Sequence, residues 1–215
     1  MKAFSELYTA IDETTKTNAK INALAHYFSI ANEKDAIWCV AMLTGRRPKR
    51  TIKSSELKLW CMEIAQIPEW LFLESYGVVG DLSETITLLL PPPTTQSSIL
   101  LSETIQLLKS MEGVNDEEKK KFIQSNRQQL STPERFIFNK LITGSFRIGV
   151  SQQLVVKALA KHFQLEENIV SHRLSGNWNP DTTTLKTLLF SDNPNDDHSK
   201  PYPFYLAYQL DQELY

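Results

Sequence analysis

Ser131-Thr132-Pro133-Glu134 opens a stretch that closes on Ile142-Thr143-Gly144, and Ser151 opens another through Val155, Ala158, Leu159 and His162. The punctuation of these two stretches decides the fold. A hydroxyl residue, a proline and then a glutamate mark a helix start, because the glutamate reaches back to the amide at the cap. Gly144 marks a stop, since glycine takes the left-handed conformation that ends a helix. In the second stretch the side chains recur at i, i+3, i+4 and i+7, one face of a helix closed by a histidine.

The same grammar extends outward in both directions. Leu57, Trp60, Cys61 and Ile64 keep the helical spacing, as do Ile21, Leu24, Ala25 and Phe28, and Leu101, Thr104, Ile105 and Leu108. Asn32 precedes Glu33 and Asp35, acids suited to a first turn. Pro68 fits the first position of a helix running through Trp70 and Leu73. The seven glycines are expected at helix ends or in connections. Glu84 to Leu88 is the nearest approach to strand alternation, and its context is helical. The expectation is an all-α domain of about eleven helices over residues 1–190. Trp38, Trp60 and Trp70 are assigned to its core, while Trp178 lies in a loop.

Pro91-Pro92-Pro93 divides the chain into halves of similar length, and the halves echo each other. Leu43-Thr44-Gly45 and Ile142-Thr143-Gly144 each end a helix, and a basic loop and a serine-started helix follow each. Two related modules would give this echo, and so would a coincidence of common capping residues. Residues 191–200 have linker composition. Residues 201–215 turn aromatic and apolar again, so they either pack back on the domain or open a further one.

The 215 residues are 41% hydrophobic, which supports a sizeable core and excludes a disordered chain. No apolar run approaches the ~20 residues that span a bilayer. The two cysteines, Cys39 and Cys61, lie in helical patterns, so a disulfide scaffold or cysteine-rich zinc site is not expected and a cytoplasmic setting is. The net charge of −2 conceals two windows without acids, 36–55 and 135–165, each with five bases. The remainder carries 13 bases against all 25 acids. Such windows either focus a positive face toward a polyanion or scatter their bases over a solvated surface.

Within the windows, two loops hold the chemistry. Thr44-Gly45-Arg46-Arg47-Pro48-Lys49-Arg50-Thr51-Ile52-Lys53 sets guanidinium forks and ammonium groups, suited to phosphate oxygens, on a stretch stiffened by proline. Its alternative is a solubilising loop. Thr143-Gly144-Ser145-Phe146-Arg147-Ile148-Gly149-Val150-Ser151 places small residues before an acid-free helix that contains Lys157, the make-up of an anion site at a helix N-terminus. Its alternative is a tight turn whose glycines serve geometry. Phe146 and Ile148 are expected to anchor this loop in the core. The histidines show no metal-ligand spacing, and there is no Walker loop, dinucleotide fingerprint or Gly-x-Ser-x-Gly elbow.

Lys140 to Ser151, running on through Leu154-Val155-Val156-Lys157, resembles the DNA-contacting segment in the N-terminal domain of ATP-dependent DNA ligases. Leu43-Thr44-Gly45-Arg46-Arg47-Pro48 and Gly80-Asp81-Leu82-Ser83-Glu84-Thr85 are similar to that domain in bacterial members. The resemblance implies a helical domain with internal two-fold pseudo-symmetry that grips duplex DNA through backbone and minor groove at a nick. It implies phosphate contacts from Gly144, Arg147 and Gly149, with Arg46, Arg47, Lys49 and Arg50 as a second patch and Gly45, Thr143, Ser151 and Lys157 beside them. Repair, replication and recombination would be the settings, in a monomer. The implied partners are nicked DNA and the enzyme's own nucleotidyltransferase and OB-fold domains. Residues 201–215 resemble the start of the nucleotidyltransferase domain. ATP and magnesium would serve the full-length enzyme; none of the sixteen lysines here is followed by x-Asp-Gly, the setting of the lysine that family adenylates. No cofactor is therefore expected for this stretch alone. Two other classes compete. A glycosylase would need a Gly-rich helix-hairpin-helix turn with a catalytic Asp or Lys beside it. A helical protein-interaction scaffold would not need two acid-free windows.

Overall fold

The computed structural model describes residues 1–93, 99–144, 146 and 148–190. Among the described residues there are twelve helices and no strand. They are α1 (Lys2–Asp12), α2 (Thr17–Ile30), α3 (Glu33–Leu43), α4 (Ser54–Ala65), α5 (Glu69–Val79) and α6 (Leu82–Leu89). There follow α7 (Leu101–Ser110), α8 (Asp116–Gln129), α9 (Thr132–Thr143), α10 (Gln152–Phe163), α11 (Glu167–Ser175) and α12 (Leu185–Phe190). The stretch 84–88 is helical, inside α6. Residues 191–215, where the linker and the domain opening were expected, lie outside the described residues.

The caps sit where the sequence puts them. Asn32 Oδ1 accepts from the Asp35 amide at 2.8 Å, and Glu134 Oε2 accepts from Ser131 N and Oγ at 3.1 and 2.6 Å. Gly45 and Gly144 follow α3 and α9 with φ of +90° and +70°, conformations that cost an L side chain about 1–2 kcal/mol. Pro68 stands one place earlier than expected, at the cap of α5. Gly77 departs from expectation by lying inside α5. The last turn of this exposed helix tolerates a residue that would cost about 1 kcal/mol mid-helix.

Helix α3 is the centre of the molecule, buried without a break from Asp35 to Met42. A helix apolar all round needs neighbours all round, and α7, α10 and α12 pack on it. The two halves of the chain share this core: α2 lies along α10, α6 along α9, and α1 along both α2 and α9. Asp35, buried in α3, accepts from Leu101 N at 3.2 Å and Ser102 N at 2.8 Å. An acid from the first half thus caps the first helix of the second, where the helix dipole favours it.

Trp70 does not join the core. It is 65% exposed, beside exposed Leu73, and Val78 is 88% exposed. Helix α5 packs against α6, and of its side chains Phe72 alone is fully buried. Apolar side chains on its other faces therefore remain in solvent.

Candidate nucleic-acid interface

Folding brings the two glycine-ended loops side by side. Arg47, leaving α3, donates from Nη1 to the Gly144 carbonyl at the end of α9. Arg50 lies so close to Gly144 that a Cβ there would sit 2.9 Å from both Nε and Nη2. Between the loops is an open cleft of about 480 Å³. Buried Met42, Phe146 and Ile148 line it together with Gly45, Arg47, Gly149 and Ser151.

Phe146 anchors the second loop, as its sequence suggested. Its ring lies 6.2 Å from that of Phe4 and 6.4 Å from that of Tyr8. The loop then runs to Gly149, at φ +60°, and Ser151 caps α10 by accepting from Leu154 N at 3.4 Å. No acid of its own occupies the first turn of α10, whose end carries partial positive charge; Glu167 of α11 reaches that turn, accepting from Gln153 Nε2 at 3.1 Å. Lys157 follows one and a half turns on, half-buried, with no hydrogen bond or ion pair among the described residues. Arg147 lies outside the described residues.

A further cation reaches the loop from outside the two acid-free windows. Lys20, on α2, donates to the carbonyls of Gly149 at 3.0 Å and Ile148 at 3.5 Å. Nothing in local spacing could have found it, because it lies 129 residues from its partner. Lys20, Arg47 and Arg50 therefore border one surface with the α10 N-terminus.

Other expected members have different engagements. Arg46 turns away from the cleft and donates from Nη2 to Leu174 O at 3.1 Å and Gly176 O at 2.9 Å. Its burial lowers its pKa. Thr143 is buried, its hydroxyl 3.0 Å from that of Ser83. Lys49 is paired with Glu112. The acid-free windows are also not acid-free in space. Arg135 is buried and donates to the carbonyls of Arg127 and Pro91, and Lys140 is buried against Asp81 at 2.5 Å. Acids distant in sequence close on bases that looked available.

A larger surface groove, about 1010 Å³, lies elsewhere, between α1, the α2–α3 turn and the start of α9. Glu6, Glu13, Asp35 and Glu134 line it, a charge unsuited to a polyanion. Among the described residues no group of His, Cys, Asp and Glu could hold a metal ion, and no helix is long and apolar enough to cross a membrane.

A helical domain with paired basic loops at two helix ends defines a class of candidate polyanion-binding modules. Comparison with known proteins makes this specific: the chain belongs to the DNA ligase N terminus family, whose model matches residues 1–160. A similar curated protein is the probable DNA ligase of Koribacter versatilis (strain Ellin345), 26% identical over 174 residues. The alignment covers 77% of this chain and 30% of that protein, so the chain corresponds to less than a third of the relative's length.

The glycines of the cleft give a direct test of its packing. Gly144→Ala would place Cβ against the Arg50 guanidinium on a left-handed backbone. It should destabilise the domain by about 1–2 kcal/mol, lowering Tm by roughly 2–8 °C. Thermal melting by circular dichroism checks it, and an unchanged Tm would mean the α9 terminus relaxes freely.

Proposed function

We propose that this domain holds duplex DNA by its phosphate backbone and minor groove, without base preference, and so positions a DNA ligase on nicked DNA. The observation that supports this most is the convergence of Lys20, Arg47 and Arg50 on the end of α9 and the start of α10. Arginine forks there can take phosphate oxygens in pairs, and free amides at a helix N-terminus can take a neighbouring one. Phosphate contacts carry no base information, so the grip would be indifferent to sequence. Membership of the ligase family gives this surface a reason to face DNA. Arg147, in the same loop, is assigned to it by the family resemblance. ATP and magnesium would act in the rest of the enzyme, since this chain holds no Lys-x-Asp-Gly. Repair, replication and recombination, in the cytoplasm and as a monomer, remain the setting proposed.

Fluorescence anisotropy with two labelled duplexes of unrelated sequence, each intact and nicked, tests the proposal. Both sequences should bind with affinities within a factor of a few. Log K against log salt should fall with a slope of about −0.9 for each phosphate neutralised, roughly 4–6 in all. Binding confined to one sequence, or indifferent to salt, would overturn the proposal.

A further inference from the structure

Arg46 is the basic residue of its loop that faces the protein. Its guanidinium carbon lies 4.4 Å from the centroid of the Trp178 ring. Its Nη2 bonds two carbonyls at the end of α11, those of Leu174 and Gly176, and Nη1 lies 3.4 Å from Thr44 Oγ1. The indole is itself fixed, donating from Nε1 to Leu174 O at 3.0 Å. The carbonyls left over at a helix C-terminus are where a cation is favoured. One face of the guanidinium is thus stacked and most of its edge is used.

The backbone on either side of Arg46 is tied as well. The Arg46 amide donates to Ala41 O at 2.7 Å, and the Thr44 hydroxyl donates to Val40 O at 2.8 Å. The next residue is Arg47, which reaches Gly144, and then Pro48, which restricts its own φ and its predecessor's. Fixing Arg46 therefore fixes the direction in which Arg47 leaves. The family resemblance puts Arg46 among the expected phosphate contacts, and Trp178 is expected only to lie in a loop. Their geometry gives both a single role.

We propose that Arg46 and Trp178 form a latch between the α3–α4 loop and the α11–α12 loop. It is a positioning device that holds Arg47 and Arg50 in place at the cleft. The latch concerns loop order, and its consequence for affinity rests on the reading of the cleft as a DNA grip. Trp178→Ala removes no charge. It should therefore weaken duplex binding while leaving the salt slope unaltered. Arg46→Lys keeps the charge but loses the paired carbonyl bonds and the planar stack, and should behave like Trp178→Ala.

Two measurements on the folded wild type, Trp178→Ala, Arg46→Lys and Arg46→Ala test this. The first, made without DNA, is the rate of tryptic cleavage after Lys49 and Arg50. Loss of the stack and carbonyl bonds should speed it about five- to tenfold in all three variants. The second is anisotropy titration across salt, where affinity should fall about five- to tenfold with the slope kept in Trp178→Ala and Arg46→Lys. Arg46→Lys indistinguishable from wild type in both measurements, with Arg46→Ala losing about one unit of slope, would make Arg46 an ordinary phosphate contact and overturn the latch. Cleavage unchanged in Trp178→Ala would overturn it as well. A wild type that fails to bind DNA would remove the DNA reading alone, because the cleavage rates still decide the latch.

Discussion

A triple variant, Lys20→Ala with Arg47→Ala and Arg50→Ala, is expected to lose on the order of a hundredfold in duplex affinity at low salt. Each of these side chains borders the cleft, and each could exchange its present contact for a phosphate oxygen. Arg47 and Lys20 now bond only backbone carbonyls among the described residues. Charge-assisted bonds are worth about 1.5–3 kcal/mol at best, and exposed groups give less. Taking about 1 kcal/mol for each leaves roughly 3 kcal/mol, or about two decades in Kd. The salt slope should become shallower by roughly 2–3 units, because three counterion-releasing contacts are gone. The Tm should move by no more than a few degrees, since these cations lie at the surface. Anisotropy and melting on one preparation decide the matter. Unchanged affinity and slope would mean that DNA, if bound, lies on another face.

Lys49→Ala offers the internal comparison for that experiment. Lys49 lies beside Arg47 and Arg50 in sequence but is paired with Glu112, whereas none of the other three makes an ion pair among the described residues. The contrast shows what a linear reading of charge misses. An acid-free window is a property of the chain, and an electrostatic face is a property of space. Glu112, in the turn after α7, and Asp81, at the cap of α6, meet Lys49 and Lys140. In the opposite direction, Lys20 joins the cleft from a helix whose sequence gives no sign of it.

Features that depend on a few consecutive residues were legible in advance. The caps at Asn32 and Ser131 and the helix stops at Gly45 and Gly144 each follow from side-chain chemistry acting within a few residues. Legibility ended where the outcome depended on which helix packs against which. Trp70 has the apolar helical spacing of Trp60, yet α4 turns its tryptophan into the core and α5 leaves its own in solvent. Arg46 and Arg47 are adjacent and chemically identical, yet one caps α11 and the other reaches the α9 terminus. No local rule separates them, because the deciding partner, Trp178, lies 132 residues further along the chain.

The largest effect on stability is expected far from the cleft, at Arg127 in α8. This side chain is 2% exposed, and no carboxylate is among its hydrogen-bond partners. Nε and Nη2 donate to Asn139 Oδ1 at 3.2 and 2.9 Å, while Nη1 has no partner among the described residues. Asn139 in turn donates to Thr87 Oγ1 at 3.0 Å, and the Arg127 carbonyl accepts from Arg135 Nη2 at 2.7 Å. The network ties α6, α8 and α9 together around a charge with no counter-ion among the described residues. Burial accordingly pushes the guanidinium pKa down, and neighbouring Arg135 pushes it the same way. Arg127→Ala would leave a cavity and an orphaned Asn139 carbonyl oxygen. It should cost about 3–5 kcal/mol, a Tm fall of roughly 6–20 °C. Arg127→Met keeps much of the stem's volume and removes the uncompensated charge, so it should melt several degrees above Arg127→Ala. That ordering separates two accounts of the residue. If volume holds the helices together, Met rescues. If the bonds to Asn139 hold them, Met falls as far as Ala, and the desolvation of the guanidinium is then outweighed by its hydrogen bonds. Both variants melting with the wild type would remove Arg127 from the stabilising network altogether.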